Sequence, residues 1–270
     1  MNENSFRKIK SKIVGRDTPF SAQRGSREQT REPQYERCME LYHGPGRPGT
    51  LGPMMNQVWH DDPRRLGIVL ARYKFVAKML SGKGRVLEIG CADAFGTRVV
   101  QQEVGSVVAI DFDPVFVNDV LARMDERWKF ECRVHNILEG PLSPPFAGAY
   151  SLDVLEHIPA GQEHRFMANI SSSLIPDGVL IIGTPSVQSQ AYASALSKAG
   201  HVNCKDHVAL KSLMLEYFAN TFIFSMNDEV VHTGFYPMAH YLFAICVGKR
   251  GKIVPRKRRS GSSTRMTRKE

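Results

Sequence analysis

The chain has 270 residues, 42% of them hydrophobic and 23% charged, a composition typical of a soluble globular domain with a substantial core. The sequence has no apolar run of 18 residues, which argues against a membrane-spanning helix. The net charge of +9 is concentrated in residues 249–270, which hold ten Lys or Arg and one Glu, so the remaining body is neutral overall. A neutral body argues against a domain whose face grips a phosphate backbone.

Both ends of the chain differ in composition from the middle. Residues 1–55 are rich in Arg, Gly and Pro, so we predict a flexible leader, and their charged start lacks the apolar stretch of a secretory signal. Residues 249–270 are polar and without apolar periodicity, so we predict a disordered, solvated tail, with a nucleic-acid or anionic-membrane contact as the alternative. The cysteines are scattered and odd in number, which favours reduced thiols and a cytoplasmic location: Cys38, Cys91, Cys132, Cys204 and Cys246.

The predicted domain covers residues 56–248 and starts with a helix over residues 66–80, where apolar residues recur at helical spacing. Beyond it, continuous apolar runs alternate with helical segments, which indicates a parallel sheet covered on both faces. We therefore predict an α/β fold with an open, doubly wound, mostly parallel seven-stranded sheet and a closing antiparallel strand pair. The predicted strands are Val86–Ile89, Ser106–Ile110, Lys129–His135, Ala149–Leu152, Val179–Gly183, Phe222–Met226 and Ala239–Val247.

The turn after the first strand carries the main functional signal. A glycine turn between a buried strand and a helix brings backbone close to a ligand. A dinucleotide site requires G-x-G-x-x-G, whereas here Gly90, Ala92 and Gly96 follow a different spacing and the carboxylates of Glu88 and Asp93 crowd the loop. These charges repel a diphosphate and attract a sulfonium with an ammonium group, so they favour S-adenosylmethionine over NAD.

The second predicted strand ends in an acid, Asp111, 23 residues after Glu88. A carboxylate at this position can accept both ribose hydroxyls of an adenosine cofactor. Either cofactor could use it, so Asp111 supports an adenosine site without selecting between them.

Five segments together resemble the class I S-adenosylmethionine-dependent methyltransferases, from about Arg72 to Val247. Residues 86–96 (VLEIGCADAFG) resemble the first motif of that family and residues 109–113 (AIDFD) the second; residues 134–137 resemble the end of the third strand, which flanks adenine. Residues 149–158 resemble the fourth motif of the branch with the ubiquinone-pathway O-methyltransferases, and residues 174–182 the turn before the fifth strand. The resemblance implies a Rossmann-like fold and S-adenosylmethionine as the cofactor.

The resemblance also implies a cofactor site. It places Glu88, Gly90 and Asp93 at the methionine end, Asp111 at the ribose and Phe112, with Asn136 and Ile137, at the adenine. Cys91 and Leu152 complete the expected cofactor-binding set. Ala92 and Asp177 depart from the family pattern, which usually has glycine at both positions. Arg72 or Tyr73 could meet the methionine carboxylate, although Tyr73 also fits the apolar stripe of its helix.

Three histidines are candidate bases for a hydroxyl acceptor: His157 just past the fourth strand, His201 between the fifth and sixth, and His232 before the last. Each has a structural alternative as a loop or core residue. The spacing of His201, Cys204 and His207 suggests zinc, but a structural zinc site normally needs four paired ligands and no second pair follows. Methyl transfer itself requires no metal, so none is predicted.

These features predict methyl transfer to a small-molecule acceptor, most plausibly O-methylation of a sugar, a polysaccharide precursor or a secondary metabolite. The alternative is an RNA or protein methyltransferase recruited through the basic tail. An NAD-dependent oxidoreductase or epimerase and a non-catalytic adenosyl-binding scaffold are the remaining alternatives. Residues 143–146 (SPPF) resemble the signature of nucleobase amine methyltransferases, but they precede the fourth strand instead of following it, so we read them as a loop.

Overall fold

The computed structural model describes residues 33–35, 38, 40 and 49–251. Most of the predicted leader and nearly all of the predicted basic tail lie outside the described residues. The chain divides into two units, residues 1–48 and 49–270. In the first unit, Pro33–Tyr35 form a single 3₁₀ turn. The second unit holds the predicted domain and begins within the region predicted as leader.

The second unit contains one eight-stranded sheet in the order β3-β2-β1-β4-β5-β8-β6-β7. The first five strands of this order are parallel, and β8 runs antiparallel to both β5 and β6. The strands are β1 (Arg85–Ile89), β2 (Ser106–Asp111), β3 (Glu131–Val134), β4 (Phe146–Leu152), β5 (Leu174–Pro185), β6 (Phe218–Asn227), β7 (Val230–His232) and β8 (Tyr241–Lys249). The mostly parallel sheet and the closing antiparallel pair are therefore confirmed.

The predicted count of seven strands is wrong, because the chain folds back after β6 to form β7. Asn227 pairs with Val230, and Asp228 between them adopts a φ of 50°. Aspartate tolerates this left-handed conformation better than most residues, so two residues suffice for the hairpin turn. Residues 230–232, which lie between the predicted strands Phe222–Met226 and Ala239–Val247, therefore form a short edge strand that was not predicted.

Helices cover both faces of the sheet, as the continuous apolar strands predict. On one face, Leu87 and Ile89 of β1 pack in a buried cluster with residues of the helices Glu163–Ser172 and His207–Tyr217. On the other face, Val86 packs in a second cluster that includes Leu80. The helices are α1 (Pro53–Asp61), α2 (Arg64–Met79), α3 (Thr97–Gln101), α4 (Pro114–Arg123), α5 (Glu163–Ser172), α6 (Ala195–Gly200) and α7 (His207–Tyr217). None of the described helices is long and apolar enough to cross a membrane.

The strand order reverses at β1, which lies between β2 and β4. In open parallel sheets, the connections leave in opposite directions at such a point and open a crevice at the carboxyl ends of the strands. The loops after the five parallel strands, β1 to β5, lie at this edge, and they carry most of the residues predicted to bind and react; His232 lies instead on β7.

Candidate active site

The loop after β1 holds three residues with left-handed backbone. Gly90 has a φ of 75°, and Ala92 and Ala94 have φ values of 46° and 51°. An alanine in this region costs about 1–2 kcal/mol, so the surrounding contacts must hold the loop in place. One such contact is the hydrogen bond from the Ala92 N–H to the Asp111 carboxylate at 2.8 Å.

Glu88 lies beneath this loop and is 2% exposed. Its carboxylate accepts hydrogen bonds from the Thr97 hydroxyl at 2.5 Å and the Tyr73 hydroxyl at 3.1 Å. Burial raises the pKa of Glu88 to about 7, although these hydrogen bonds oppose the shift. Glu88 therefore ties β1 to α2 and α3, and Tyr73 is both a packed residue and its hydrogen-bond donor.

Asp93 contacts the segment that precedes the sheet. Its carboxylate accepts from the Met55 N–H at 2.8 Å, which is one of the unpaired donors in the first turn of α1. The Arg123 guanidinium bonds both the Asp93 carbonyl at 2.9 Å and the Thr50 carbonyl at 3.4 Å. Residues 50–55 are thus fixed against the loop after β1, in a region that the sequence pattern assigned to a flexible leader.

Asp111 organises the end of β2. One of its oxygens accepts from the Ala92 N–H and the other from the Asp113 N–H at 2.9 Å. Phe112 follows with 72% of its surface exposed. The next strand along the edge, β3, ends at Val134 and is followed by Asn136, whose side-chain oxygen accepts from the Leu138 N–H at 3.0 Å. The residues predicted to hold ribose and adenine therefore line adjacent strand ends.

The remaining predicted cofactor residues are packed. A Cβ at Gly90 would lie 2.3 Å from Val154 Cγ2, so the loop after β4 leaves room only for glycine. Cys91 and Ile137 are buried, as is Leu152 at the end of β4. These four residues shape the floor of the crevice.

An ion pair joins α2 to the loop after β4. Nη1 of Arg72 lies 2.8 and 3.0 Å from the two oxygens of Asp153, which has a φ of 56°. The guanidinium also sits 3.9 Å above the Tyr241 ring. Among the described residues, neither Arg72 Nε nor the Tyr241 hydroxyl has a hydrogen-bond partner, although both atoms are buried.

A polar cluster follows Asp153 along the same loop. Glu156, His157 and His201 each bring one oxygen or ring nitrogen to within 4.8 Å of the others. Glu156 is fully buried, and burial together with the nearby Asp153 charge raises its pKa to about 8. The two imidazole rings meet edge to face, with centroids 5.1 Å apart.

Main-chain contacts bring the two segments of this cluster together. The Glu156 carbonyl accepts hydrogen bonds from the Val202 N–H at 2.8 Å and the Asn203 N–H at 2.9 Å. A Cβ at Gly200 would lie 3.3 Å from the His157 ring, so the end of α6 approaches that ring closely. The predicted insertion between β5 and β6 therefore folds back to place His201 beside His157.

The third candidate base and the suspected zinc motif lie elsewhere. His232 is on edge strand β7, and its ring nitrogens are engaged by Asn227 Oδ1 at 3.0 Å and the Gly234 N–H at 2.9 Å. His207 stacks on Tyr236 with ring centroids 4.3 Å apart. In the described part of the chain, His201 clusters with Glu156 and His157 rather than with His207 and Cys204.

Comparisons with known proteins show the family to which the chain belongs. A family model described as a methyltransferase domain matches residues 58–217, more than half of the chain. The chain belongs to the methyltransferase domain family. Its fold is also that of a solved S-adenosylmethionine-dependent methyltransferase.

A relative from Mycolicibacterium smegmatis is described as a probable S-adenosylmethionine-dependent methyltransferase. It is 27% identical over 114 residues, which cover 42% of this chain and 42% of the relative. This methyltransferase therefore matches less than half the length of that curated relative.

Two solved structures share the fold. NodS, an N-methyltransferase from Bradyrhizobium japonicum in complex with S-adenosyl-L-homocysteine, has a TM-score of 0.50 and 18% identity and covers 70% of this chain and 90% of its own. An S-adenosylmethionine-dependent methyltransferase from Archaeoglobus fulgidus has a TM-score of 0.55 and 15% identity and covers 73% and 99%. At these identities the likeness concerns the fold alone.

Several residues of the site were not predicted from the sequence. Thr97 and Thr184 bind the two buried glutamates, at 2.5 Å for Glu88 and 3.1 Å for Glu156. Asp153 lies within residues 149–158, for which no ion pair was predicted, although it pairs with Arg72. Arg72 or Tyr73 was predicted to meet the methionine carboxylate, but the partner of Arg72 is 81 residues away in the chain.

Proposed function

We propose that this methyltransferase holds the adenosine part of S-adenosylmethionine at the carboxyl ends of β2 and β3. Asp111 is placed for the ribose, and Phe112, Asn136 and Ile137 for the adenine. The supporting observations are the position of these residues at adjacent strand ends and the exposed Phe112 ring, which offers a face for stacking.

The loop after β1 fits the methionine part by its backbone more than by its charges. Gly90, Ala92 and Ala94 turn the chain sharply at the sheet edge, while the carboxylates of Glu88 and Asp93 are bonded to protein donors. We propose that Gly90, Cys91 and the neighbouring backbone line this part, with Glu88 and Asp93 fixing the shape of the loop. The bound cofactor supplies a methyl group already activated on a sulfonium.

We further propose that the acceptor is the hydroxyl oxygen of a small molecule, such as a sugar, a polysaccharide precursor or a secondary metabolite. The observation that carries this proposal is the cluster of Glu156, His157 and His201 at the carboxyl ends of β4 and β5. A hydroxyl acceptor must lose its proton as the new oxygen–carbon bond forms, and this cluster is placed to promote that loss.

The charge distribution supports a small acceptor. Residues 1–248 are neutral overall, which argues against a broad basic face for RNA. Residues 143–146 lead into β4 instead of following it, which leaves the position of the nucleobase amine signature to residues 153–156. Both observations favour a small hydroxyl compound over a nucleic acid.

The test is to incubate the full chain with methyl-labelled S-adenosylmethionine and a metabolite extract. We expect the label in one small-molecule fraction, with the carbon shift of an O-methyl group by NMR. The variant Asp111→Ala, which lacks the ribose carboxylate, is the control that should remove the signal. Label in RNA or protein, or an N-methyl product, would overturn the proposal.

A truncation separates the small-molecule function from recruitment by the basic tail. Strand β8 continues to Lys249, and Arg250 bonds the Tyr217 and Phe218 carbonyls, so the cut belongs after Gly251. We expect the chain ending at Gly251 to label the same compound at the same rate. A loss of labelling would favour recruitment through the tail.

A further inference from the structure

The polar cluster of Glu156, His157 and His201 brings together two segments that are distant in the chain. Glu156 and His157 belong to the 3₁₀ turn Leu155–His157 after β4, and His201 follows α6. Their nearest ligand-type atoms all lie within 4.8 Å of one another. Glu156 is buried, His157 is exposed and His201 is intermediate, so the cluster has a closed floor and an open mouth.

Hydrogen bonds orient both imidazoles in the same way. His157 Nδ1 lies 2.9 Å from the Gly200 carbonyl, and a carbonyl can only accept, so Nδ1 carries the proton. His201 Nδ1 lies 2.8 Å from Gln190 Oε1. The amide of Gln190 is itself oriented, because its Nε2 donates to the Ser186 carbonyl at 3.2 Å. Each neutral ring therefore presents an Nε2 lone pair that no described residue occupies.

Glu156 supplies a third ligand atom. One carboxylate oxygen accepts from the Thr184 hydroxyl at 3.1 Å. The other, Oε1, is buried and has no hydrogen-bond partner among the described residues. A buried carboxylate oxygen without a partner is unfavourable, and a bound cation would complete its bonding.

We propose that Glu156, His157 and His201 bind a divalent transition-metal cation. Two imidazoles and one carboxylate on one side leave the remaining coordination positions open to solvent and substrate, as in catalytic metal sites. The Nδ1–H contacts to a carbonyl and an amide oxygen are the kind of outer-shell support that metal-binding histidines usually have.

The geometry needs only a small adjustment to hold an ion. A metal about 2.1 Å from each ligand places the ligand atoms about 3–3.4 Å apart, so closure of about 1.4–1.8 Å from the 4.8 Å limit suffices.

The catalytic role of this metal rests on the proposed function, whereas metal binding does not. A cation here would bind the acceptor oxygen and lower the pKa of its hydroxyl, so that the proton leaves to solvent water before the methyl group is transferred. Metal binding itself depends only on the three side chains and can be measured without cofactor or acceptor.

The direct test is calorimetric titration of Mn²⁺ into the full, chelator-treated chain, followed by electron paramagnetic resonance of the bound ion. We expect one Mn²⁺ per chain. The variants Glu156→Gln, His157→Gln and His201→Gln should each weaken binding by about 10–100-fold. His164→Gln is the matched control, since His164 lies on α5 against Tyr217, and it should bind Mn²⁺ as the wild type does.

Two results would overturn the proposal: no saturable Mn²⁺ binding to folded wild-type protein, or binding that survives unchanged in the His157→Gln/His201→Gln double variant. Circular dichroism melts in chelator confirm that each variant is folded. If Mn²⁺ binds as expected but no small molecule becomes labelled, the metal site stands and the proposed acceptor fails.

Discussion

The two halves of the sheet edge differ in how their buried polar groups are satisfied. At the β1–β2 half, the carboxylates of Glu88, Asp93 and Asp111 each accept hydrogen bonds from protein donors. At the β4–β5 half, Glu156 Oε1 and the Tyr241 hydroxyl are buried and lack partners among the described residues. The three carboxylates of the first half are therefore satisfied by the folded chain, whereas Glu156 and Tyr241 in the second half retain unmet bonding capacity.

This difference indicates a division of roles. Fully bonded carboxylates hold backbone in a fixed shape, which suits a loop that receives a cofactor. Unmet donors and acceptors cost stability, so they persist where a ligand or reacting group completes them. Substitutions in the first half should therefore change stability and cofactor binding, and substitutions in the second should change chemistry.

The largest expected effect concerns the buried Glu88. Its pKa is raised by burial to about 7 in the folded chain, against 4.5 for an ordinary glutamate, so the folded state binds the extra proton between these values. Stability contributed by this group therefore falls as pH rises from about 4.5 to 7, by about 3 kcal/mol. Glu88→Gln should remove that part of the pH dependence in urea unfolding measured at pH 4.5 and 8.

The exposed Glu126, which pairs only with Lys129, provides the control for this experiment. Glu126→Gln should keep the pH dependence of the wild type. If the free energy of unfolding depends on pH equally in Glu88→Gln and in the wild type, Glu88 does not have the raised pKa of a buried carboxyl.

The next effect concerns cofactor affinity. Asp111→Ala removes two backbone hydrogen bonds and the proposed ribose ligand, so the Kd of S-adenosylhomocysteine should rise about 100-fold, or about 2.7 kcal/mol. Asp113→Asn keeps an acceptor for the Val115 N–H and should stay within about threefold of wild type. Affinity of Asp111→Ala within threefold of wild type would remove the ribose assignment.

A smaller stability effect is expected in the second half. Glu156→Gln keeps an acceptor for the Thr184 hydroxyl and places the amide nitrogen where no described partner exists, so the free energy of unfolding should change by less than about 1 kcal/mol. Turnover should nevertheless fall at least about 100-fold. If a thermal melt shows that Glu156→Gln destabilises the fold by several kcal/mol, the role of Glu156 is structural.

The smallest effect tests the strained loop. Ala94→Gly relieves a left-handed alanine but increases the entropy of the unfolded chain, so we expect a net gain of about 0.5 kcal/mol. Ala149→Gly in buried strand β4 is the opposite control and should destabilise. If chemical denaturation shows that Ala94→Gly lowers the free energy of unfolding by 1 kcal/mol or more, Ala94 is not strained.

The sequence predicted the parallel strands closely because buried parallel strands are continuously apolar, as in Ser106–Asp111. It missed β7, since three residues after a polar turn carry no periodic signal. It also treated residues 49–55 as leader, because the cap of α1 comes from Asp93, 38 residues along the chain. Contacts over such separations leave no local pattern.

The site was predictable in part for the same reason. Glu88, Asp111 and His157 stand at strand ends, where position along the chain indicates position in space. The contact between His157 and His201 depends on how residues 186–200 return to the sheet edge after β5. Main-chain hydrogen bonds to the Glu156 carbonyl fix that return. Electrostatic reasoning named Glu88 for its charge, whereas burial makes it chiefly a structural group.

The division of roles is tested most directly by calorimetric titration of S-adenosylhomocysteine into the His157→Gln/His201→Gln double variant. The account predicts affinity within about threefold of wild type, because the cofactor lies on the β1–β2 half. Weakening of about 100-fold, as expected for Asp111→Ala, would place the cofactor on the β4–β5 half and contradict the account.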